Sequence, residues 1–469
     1  MSDGVSRSRL RFATAAALII ALPVFFEPTR GGLRLSPAYS EAVGESVTAL
    51  SFSVLALPLL LAVLLASARA RRRHVARPAL DDALVAGYVV VNALALYTGV
   101  VLAGVPEPLG MMAYLQSLFP LVGYAVARIT METAPGETPE RALEPLERFL
   151  ITLGLGVLVY LFLYVVQTVI DGVSTFRLSI ITDHIGPFYN YKMKRFFPVY
   201  VAMATASLAA YILASRRLRG PTVLIAGALV TFGVVGLFLM HSRTALLFLV
   251  VAMSILSAGT LRVFRPTVSR RFARLSVLVL LGVALAWPAI SAAGTRSLAR
   301  IYETVTVVTG ARASLAPGDE TRLERMRTGV EVGFGSVFGS GFQMEERHGL
   351  RRAVTTESGY LDIVARAGPL ALALVLALVA RSVLASYRLA RRVHAGAVGP
   401  GRSTLWAARA LLALLTGFAL IGNVFLNVLT EPYVGPAYWF LLGSVASLAR
   451  TGRARDSRWS GPGTETRTS

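Results

Sequence analysis

Four polar segments in an otherwise apolar sequence carry side chains that can bind anions or move protons. The first segment, residues 171–195, combines cations with a hydrogen-bonding amide, namely Arg177, Asn190, Lys192, Lys194 and Arg195. Arg and Lys bind phosphate through charge-assisted hydrogen bonds, so this segment can hold an anionic ligand such as a lipid-linked diphosphate. The same cations can instead contact the phosphate headgroups of a bilayer, and both hypotheses stand at this point.

The second segment is the tripeptide His241, Ser242 and Arg243, which separates two apolar runs. A charge at the centre of a bilayer costs about 2.5–3.5 kcal/mol on insertion scales, and less near the interface. A turn this tight therefore places Arg243 at the start of a helix, at one end of the helix bundle. There Arg243, with His241 beside it, can bind phosphate, or it can extend its charged group to the interface.

The third segment belongs to a long loop that extends from about residue 294 to 363. Arg322 and Arg325 have helical spacing, and a glycine-rich stretch follows from Gly333 to Gly341. Glycine allows a tight turn and a close approach of the backbone to a ligand. This part of the loop predicts a short helix followed by a tight turn.

The same loop ends with Glu357, Ser358 and Tyr360, which lead directly into an apolar run. A carboxylate there can act as a general base, a role worth roughly 10²–10⁴-fold in rate. Alternatively, Glu357 can simply stabilise the positive end of a helix dipole.

The fourth segment carries Asn423, Asn427 and Glu431, which recur every four residues. This spacing predicts one polar face on a helix, which must contact protein or water rather than lipid. Hydrogen bonds between helices are one use of such a face, and a substrate groove is the other.

The elements that must position these side chains are membrane-spanning helices. The chain is 55% hydrophobic and 16% charged, its mean hydropathy is +0.62, and its apolar runs have the length of about 17–24 residues that crosses a bilayer. The predicted spans lie near 12–27, 48–68, 82–103, 109–128, 149–170, 196–214, 222–240, 244–261, 275–293, 364–385, 404–424 and 434–450. The fold class predicted is an all-α polytopic membrane protein of about twelve helices, with one long, partly helical outer loop.

Arg clusters occupy every second loop between these spans, as the positive-inside rule requires of cytoplasmic loops. The pattern predicts a bacterial inner-membrane protein with both termini in the cytoplasm, and it places all four polar segments on the outer side. Residues 1–450 form the membrane domain, and residues 451–469 form a polar tail expected to be disordered. The net charge of +21 follows this loop pattern, which argues against nucleic-acid binding. The absence of Cys excludes disulfides and thiolate metal sites.

Taken in order, these segments resemble the O-antigen ligase and polysaccharide polymerase superfamily. Members have about twelve spans, termini inside, and one long outer loop late in the chain. The matching positions are Arg177, Gly186, Phe188 and Asn190 after a middle span, Ser242 and Arg243 at the start of a later one, Arg322 with "FGSGF" in the long loop, and Tyr360, Leu361 and Gly368 in "ESGYLDIVARAG".

The resemblance implies a GT-C-like, metal-independent glycosyltransferase that needs no cofactor and uses a glycan on undecaprenyl diphosphate. Arg243, Arg322 and the cations of residues 177–195 would stabilise the departing diphosphate, with Arg325 and Tyr360 as further substrate ligands. The His of the family's last motif is missing, since Thr356 and Glu357 stand in its place. This departure favours a repeat-unit polymerase over a ligase. Glu357 is then the candidate base, and a chain-length regulator is the partner expected for a polymerase.

Three other functions remain open from the sequence. One is ligase-type transfer of the glycan to another acceptor. The second is a flippase that transports a polysaccharide precursor, which would have paired halves, interrupted helices and ionisable residues near the membrane centre. The third is a non-catalytic scaffold in an envelope assembly.

Overall fold

The computed structural model describes a chain that is helical almost throughout its described parts. The described residues are 2–21, 58–66, 79–105, 107–132, 139–170, 191–214, 221–240, 242–261, 273, 275–288, 317–342, 344–347, 350–353, 356, 358–395, 405–431 and 434–459. A short antiparallel hairpin pairs Met344–Arg347 with Leu350–Ala353. The predicted predominance of helix is confirmed.

The helices follow the apolar runs of the sequence. They are α1 (Ser2–Ala21), α2 (58–66), α3 (Leu80–Leu102), α4 (Glu107–Leu118), α5 (Leu121–Thr130), α6 (Pro139–Ile170), α7 (Tyr191–Ala214), α8 (Pro221–Leu239), α9 (Arg243–Leu261), α10 (Leu275–Pro288), α11 (Pro317–Phe334), α12 (Gly359–Ala395), α13 (Leu405–Gly417), α14 (Asn423–Phe425) and α15 (Gly435–Trp459). A π-helical segment, Phe418–Gly422, joins α13 to α14. Helix α15 continues past residue 451, where a disordered tail was expected, and residues 460–469 lie outside the described residues.

Four helical stretches within the described residues are long and apolar enough to cross a membrane. They are Leu80–Leu102, Arg141–Phe162, Gly359–Arg392 and Trp406–Phe425. Shorter apolar helices accompany them at Leu121–Thr130, Phe197–Leu213, Val223–Phe238, Arg243–Ala258 and Leu275–Pro288. Each of the predicted apolar segments overlaps a helix, and this pattern is that of a multi-pass membrane protein.

One exposed face of α3 shows what surrounds the bundle. Val90, Leu94, Tyr97 and Val101 lie at helical spacing and are each about half exposed. A continuous apolar stripe of this kind would be unfavourable in water and is favourable against lipid chains.

One predicted span is divided in the structure. The run at 109–128 becomes α4 and α5, with the break at Phe119 and Pro120. Proline has no backbone N–H and cannot continue the hydrogen-bond ladder of a helix, so the chain turns there.

Charged side chains join the helices at one end of the bundle, which we call the ionic end. Arg128 on α5 forms two hydrogen bonds of 2.8 Å to the Asp82 carboxylate on α3, and it donates a third to Ser447 on α15. Arg381 on α12 pairs with Asp81 at 2.9 Å. Both arginines belong to the basic clusters that the sequence assigns to the cytoplasmic side.

The opposite end of the bundle, which we call the glycine end, is where α3 finishes and α12 begins. A tight turn at residues 335–342, the glycine turn, follows α11 and packs on both helices. Gly99 of α3 lies directly against the carbonyl group of Gly341, so that a Cβ at position 99 would overlap it.

The glycine turn also completes the hydrogen bonding of α12, which is kinked. Gly368 has φ 83° and ψ 177°, and Pro369 follows it. Because Pro369 has no N–H, the carbonyl of Ala365 loses the donor that an unbroken helix would give it. The backbone N–H of Ser340 in the turn donates to this carbonyl at 2.7 Å.

The glycines of the turn therefore approach neighbouring helices. A Cβ at Gly339, which has φ 58°, would lie 2.6 Å from the Ala365 carbonyl oxygen. The N–H of Gly341, with φ 61°, donates to the Arg366 carbonyl at 3.1 Å. The sequence predicted close approach to a ligand at this point, and the close neighbours in the structure are the backbones of α3 and α12.

Substituting Gly99 tests this packing directly. Gly99→Ala should lower the free energy of unfolding by roughly 1–3 kcal/mol, because the added methyl group overlaps the glycine turn. Gly156→Ala is the matched control in α6, since its Cβ would meet only Ala21 at 3.6 Å and alanine favours helix by about 1 kcal/mol. Unfolding in mixed detergent–SDS micelles measures both, and equal stability of the two variants would contradict the packing.

Candidate functional site

Three hydrogen bonds join the start of α12 to the π-helical segment, to α14 and to the residue that follows α14. They run from Ser358 Oγ to Asn423 O (3.0 Å), from Gly359 N to Leu426 O (2.9 Å), and from Tyr360 Oη to Ala419 O (3.0 Å). Tyr360, a predicted substrate ligand, is therefore half-buried at the glycine end, and its contact with substrate stays a prediction.

The π-helical segment explains why the Ala419 carbonyl can accept the Tyr360 hydroxyl. In the wider π turn the N–H of Asn423 donates to Phe418, whereas in an α-helix it would donate to Ala419. Single π turns occur mostly inside longer helices and often at functional sites.

The prediction that Asn423, Asn427 and Glu431 share one polar face of a helix is wrong. Helix α14 ends at Phe425, and Leu426 is extended with φ −145° and ψ 153°. The four-residue repeat is therefore broken between Asn423 and Asn427. Non-helical backbone inside a membrane protein is tolerated where it packs against protein or lines a polar cavity.

Asn423 lies at the centre of a buried polar cluster, which we call the Asn423 cluster. Its side chain and that of Tyr438 are fully buried, and the hydroxyl groups of Tyr360 and Tyr438 both approach the Asn423 amide. Among the described residues, neither the amide of Asn423 nor the hydroxyl of Tyr438 meets the strict geometry of a hydrogen bond, although the two groups lie close enough to interact. Buried polar groups that are not fully paired carry a free-energy cost, so a cluster of them is a candidate for ligand binding.

A buried carboxylate holds the chain that leads into α12. Asp362 is fully buried, and its Oδ1 accepts hydrogen bonds from the N–H (2.6 Å) and hydroxyl (2.9 Å) of Thr356. Its Oδ2 lies 3.7 Å from a guanidinium nitrogen of Arg366. A buried ionisable pair inside a candidate membrane span is rare and marks functional sites.

Arg243 is the first residue of α9, as predicted. The hydroxyl of Ser242 caps this helix by accepting from the N–H of Ala245 at 3.3 Å. Arg243 is half-buried and contacts other groups of the protein. Phe248, further along α9, packs edge-to-face on Phe418 with ring centroids 4.9 Å apart.

Helix directions place Arg243 at the glycine end. Glu147 in the first half of α6 accepts a hydrogen bond from Trp406, near the start of α13. Helix α13 runs from there towards the contact with Tyr360, so α6 also runs towards the glycine end. Further along α6, Leu161 packs beside Gly236 near the end of α8, so α8 ends on that side too. Helix α9 starts there after a short turn, so Arg243 lies on the same side as Asn423.

The two predicted cations of the long loop lie on a helix, as expected. Helix α11 packs on α12, with Gly329 against Thr356 and Gly333 against the backbone of Val364. Arg325 is half-buried and lies four residues before Gly329, on the same side of α11 at helical spacing. Position 322 belongs to the same helix face at helical spacing, while its side chain lies outside the described residues.

The remaining predicted site residues are described only in part. Positions 192, 194 and 195 lie in the first turns of α7, which starts at the glycine end because Phe197 packs edge-to-face on Tyr160 near the end of α6. Their side chains lie outside the described residues. The residues of the site that are wholly outside them are Arg177, Asn190, His241 and Glu357.

Sequence reasoning missed Asp362 and Arg366, although a signal was present. The two residues are four apart in an otherwise apolar helix, a spacing that places opposite charges side by side. Tyr438 could not have been selected, because only the tertiary structure brings it to Asn423. Among the described residues, no group of three His, Asp or Glu side chains is positioned to hold a metal ion.

No protein-family model matches this sequence, and a search of curated proteins found no match.

Removal of the Asp362 carboxylate tests its role in holding the start of α12. Asp362→Ala should lower the free energy of unfolding by roughly 3 kcal/mol, because it leaves the Thr356 N–H and the Arg366 charge unpaired. Thr356→Ser keeps the hydroxyl and should cost about 1 kcal/mol or less. Unfolding in mixed micelles measures both variants, and a small loss for Asp362→Ala would show that the carboxylate is dispensable.

Proposed function

We propose that this protein is an extracytoplasmic glycan polymerase, which joins oligosaccharide repeat units carried on undecaprenyl diphosphate during surface polysaccharide synthesis. One observation carries the proposal. The start of α9 with Arg243 and the start of α7 with its three cationic positions lie at the same end of the bundle as the polar start of α12, on which α11 with Arg322 and Arg325 packs. Guanidinium groups so arranged suit a diphosphate.

The proposed reaction is an inverting glycosyl transfer. An acceptor hydroxyl attacks the anomeric carbon of the donor glycan, and the bond from this carbon to the diphosphate oxygen breaks. The lipid diphosphate leaves with the bonding electrons, and the hydroxyl proton passes to a general base. Preorganised cations accelerate this step because negative charge develops on the diphosphate.

Glu357 is the proposed base. Its neighbours Thr356 and Ser358 are both buried and hydrogen-bonded, to Asp362 and to the Asn423 carbonyl respectively. A base must be held in a defined position to take a proton efficiently, and anchoring on both sides supports this assignment.

The finer architecture belongs to the same proposal. It comprises about twelve spans in a GT-C-like arrangement, in a bacterial inner membrane with both termini in the cytoplasm. The resemblance to O-antigen ligases and polysaccharide polymerases supports it, as does the collection of Arg128 and Arg381 at the ionic end. A chain-length regulator is the expected partner. Ligase-type transfer would use the same site.

A flippase for lipid-linked glycans is the second candidate. The interrupted helices favour it, because transporters often bind substrate where helices are broken. Such breaks occur at Gly368 in α12 and at the π-helical segment before Asn423. Accumulation of single repeat units on the cell surface of a deletion strain would support the polymerase, whereas loss of all surface glycan would support the flippase.

Arg243→Ala and Arg322→Ala should each abolish glycan chain extension while protein levels stay unchanged, because the departing diphosphate loses a cation. Arg327→Ala is the matched control on α11, since Arg327 is 81% exposed and pairs only along its own helix with Glu331 among the described contacts. Gel profiles of the surface polysaccharide measure chain length. Full-length polymer in both test variants would refute the proposed roles of Arg243 and Arg322.

Single cysteines test the proposed orientation without background, because the chain has no native Cys. Ser336→Cys in the exposed glycine turn should react with a membrane-impermeant maleimide in intact spheroplasts. Arg391→Cys, exposed near the end of α12, should react only after the membrane is opened. The reverse labelling pattern would place the site on the cytoplasmic side, away from an outer-leaflet donor.

A further inference from the structure

The Asn423 cluster has a chemistry different from that of the arginines around it. Its groups are one carboxamide and two phenol hydroxyls, from Asn423, Tyr360 and Tyr438. All three are uncharged, and each can donate a hydrogen bond. Within the described residues, the Asn423 amide and the Tyr438 hydroxyl are fully buried and make no hydrogen bond of good geometry, although they lie close to each other.

Further unsatisfied groups continue from this cluster along the extended segment. Asn427 Oδ1 and Thr430 Oγ1 are buried atoms that likewise have no hydrogen-bond partner among the described residues. The backbone of Asn427 lies beside Gly359, where a Cβ would be 3.5 Å from the Asn427 Cα and 3.2 Å from Asn423 Oδ1. Neutral donors and acceptors therefore line the contact between α12 and residues 423–430.

We propose that Asn423, Tyr360 and Tyr438 form a binding subsite for the hydroxyl groups of an uncharged sugar residue. A sugar hydroxyl both donates and accepts, so it can satisfy an amide and a phenol together. A phosphate would lack a cation in this cluster, whereas the arginines of α9 and α11 suit it. The choice of a sugar over other neutral polar ligands rests on the proposed function.

Tyr360 is the most exposed member of the cluster. Its ring is half-buried, and its hydroxyl donates a hydrogen bond to the Ala419 carbonyl. Val424 and Phe425, the two residues after Asn423, are more than a third exposed, so the cluster lies close to the protein surface.

Substitution of the buried amide separates a ligand site from a structural one. Asn423→Leu removes two unsatisfied polar atoms at nearly constant volume, so the melting temperature should stay equal or rise. Asn92→Leu is the matched control, because Asn92 is 2% exposed and its amide donates to the Tyr88 carbonyl at 2.8 Å. That variant loses a satisfied hydrogen bond and should melt lower.

Sugar binding is measured by saturation-transfer NMR on the full-length protein in nanodiscs. The probes are free glucose, galactose, mannose and N-acetylglucosamine. At least one sugar should bind the wild type and Asn92→Leu with equal affinity, and its affinity for Asn423→Leu should be at least tenfold lower. Tyr438→Phe should also lower the affinity for this sugar. If Asn423→Leu fails to fold, the result for Tyr438→Phe decides the test.

Any of three results would overturn the proposed subsite. Either no sugar binds the wild type, or sugar binding is unchanged in Asn423→Leu and Tyr438→Phe, or Asn92→Leu loses as much sugar affinity as Asn423→Leu. The first result would leave the cluster a hydrated structural element. Sugar binding that depends on Asn423, with unchanged glycan chain length in a deletion strain, would keep the subsite and remove the polymerase. Arg243-dependent extension without sugar binding at Asn423 would do the reverse.

Discussion

Backbone hydrogen bonds from the glycine turn to α12 hold the candidate site together. Pro369 removes an amide donor from α12, and an unpaired carbonyl in an apolar environment costs several kcal/mol. Ser340 supplies the missing donor at 2.7 Å, which is possible only because Gly339 and Gly341 have no side chain. The glycine turn is thereby fixed to the bundle, and α11 lies beside the start of α12, against which Gly329 and Gly333 also pack. These contacts determine where the helix that carries the loop arginines lies.

The two ends of the bundle satisfy their polar groups to different degrees. At the ionic end, Asp82 accepts from Arg128, from Tyr124 and from the backbone of Ala79. At the glycine end, the side chains of Asn423 and Tyr438 are buried and make no hydrogen bond of good geometry among the described residues. The polar groups around Asp82 are therefore fully paired, whereas those of the Asn423 cluster are not. Proteins commonly carry such local costs where they bind ligands.

Local signals in the sequence predicted the helices well, because apolar runs and arginine clusters need no tertiary information. The two arginines of α11 and the turn after them were found in the same way. The polar stripe from Asn423 to Glu431 failed because a four-residue repeat assumes an unbroken α-helix, whereas a π turn precedes it and Leu426 is extended. The hydrogen bonds between Asp362 and Thr356 could not be predicted, because Thr356 lies outside the helix and folds back onto Asp362.

The ionic end also bears on the choice between enzyme and transporter. Alternating access requires the bundle to open at both ends in turn. Opening the ionic end would break the bidentate contact of Arg128 with Asp82 and the pair of Arg381 with Asp81, and would expose charges to a changing environment. An enzyme that receives its donor and acceptor from the outer leaflet needs no such opening. Tight closure at the ionic end and a buried polar cluster at the glycine end are therefore consistent with the proposed catalysis from one side of the membrane.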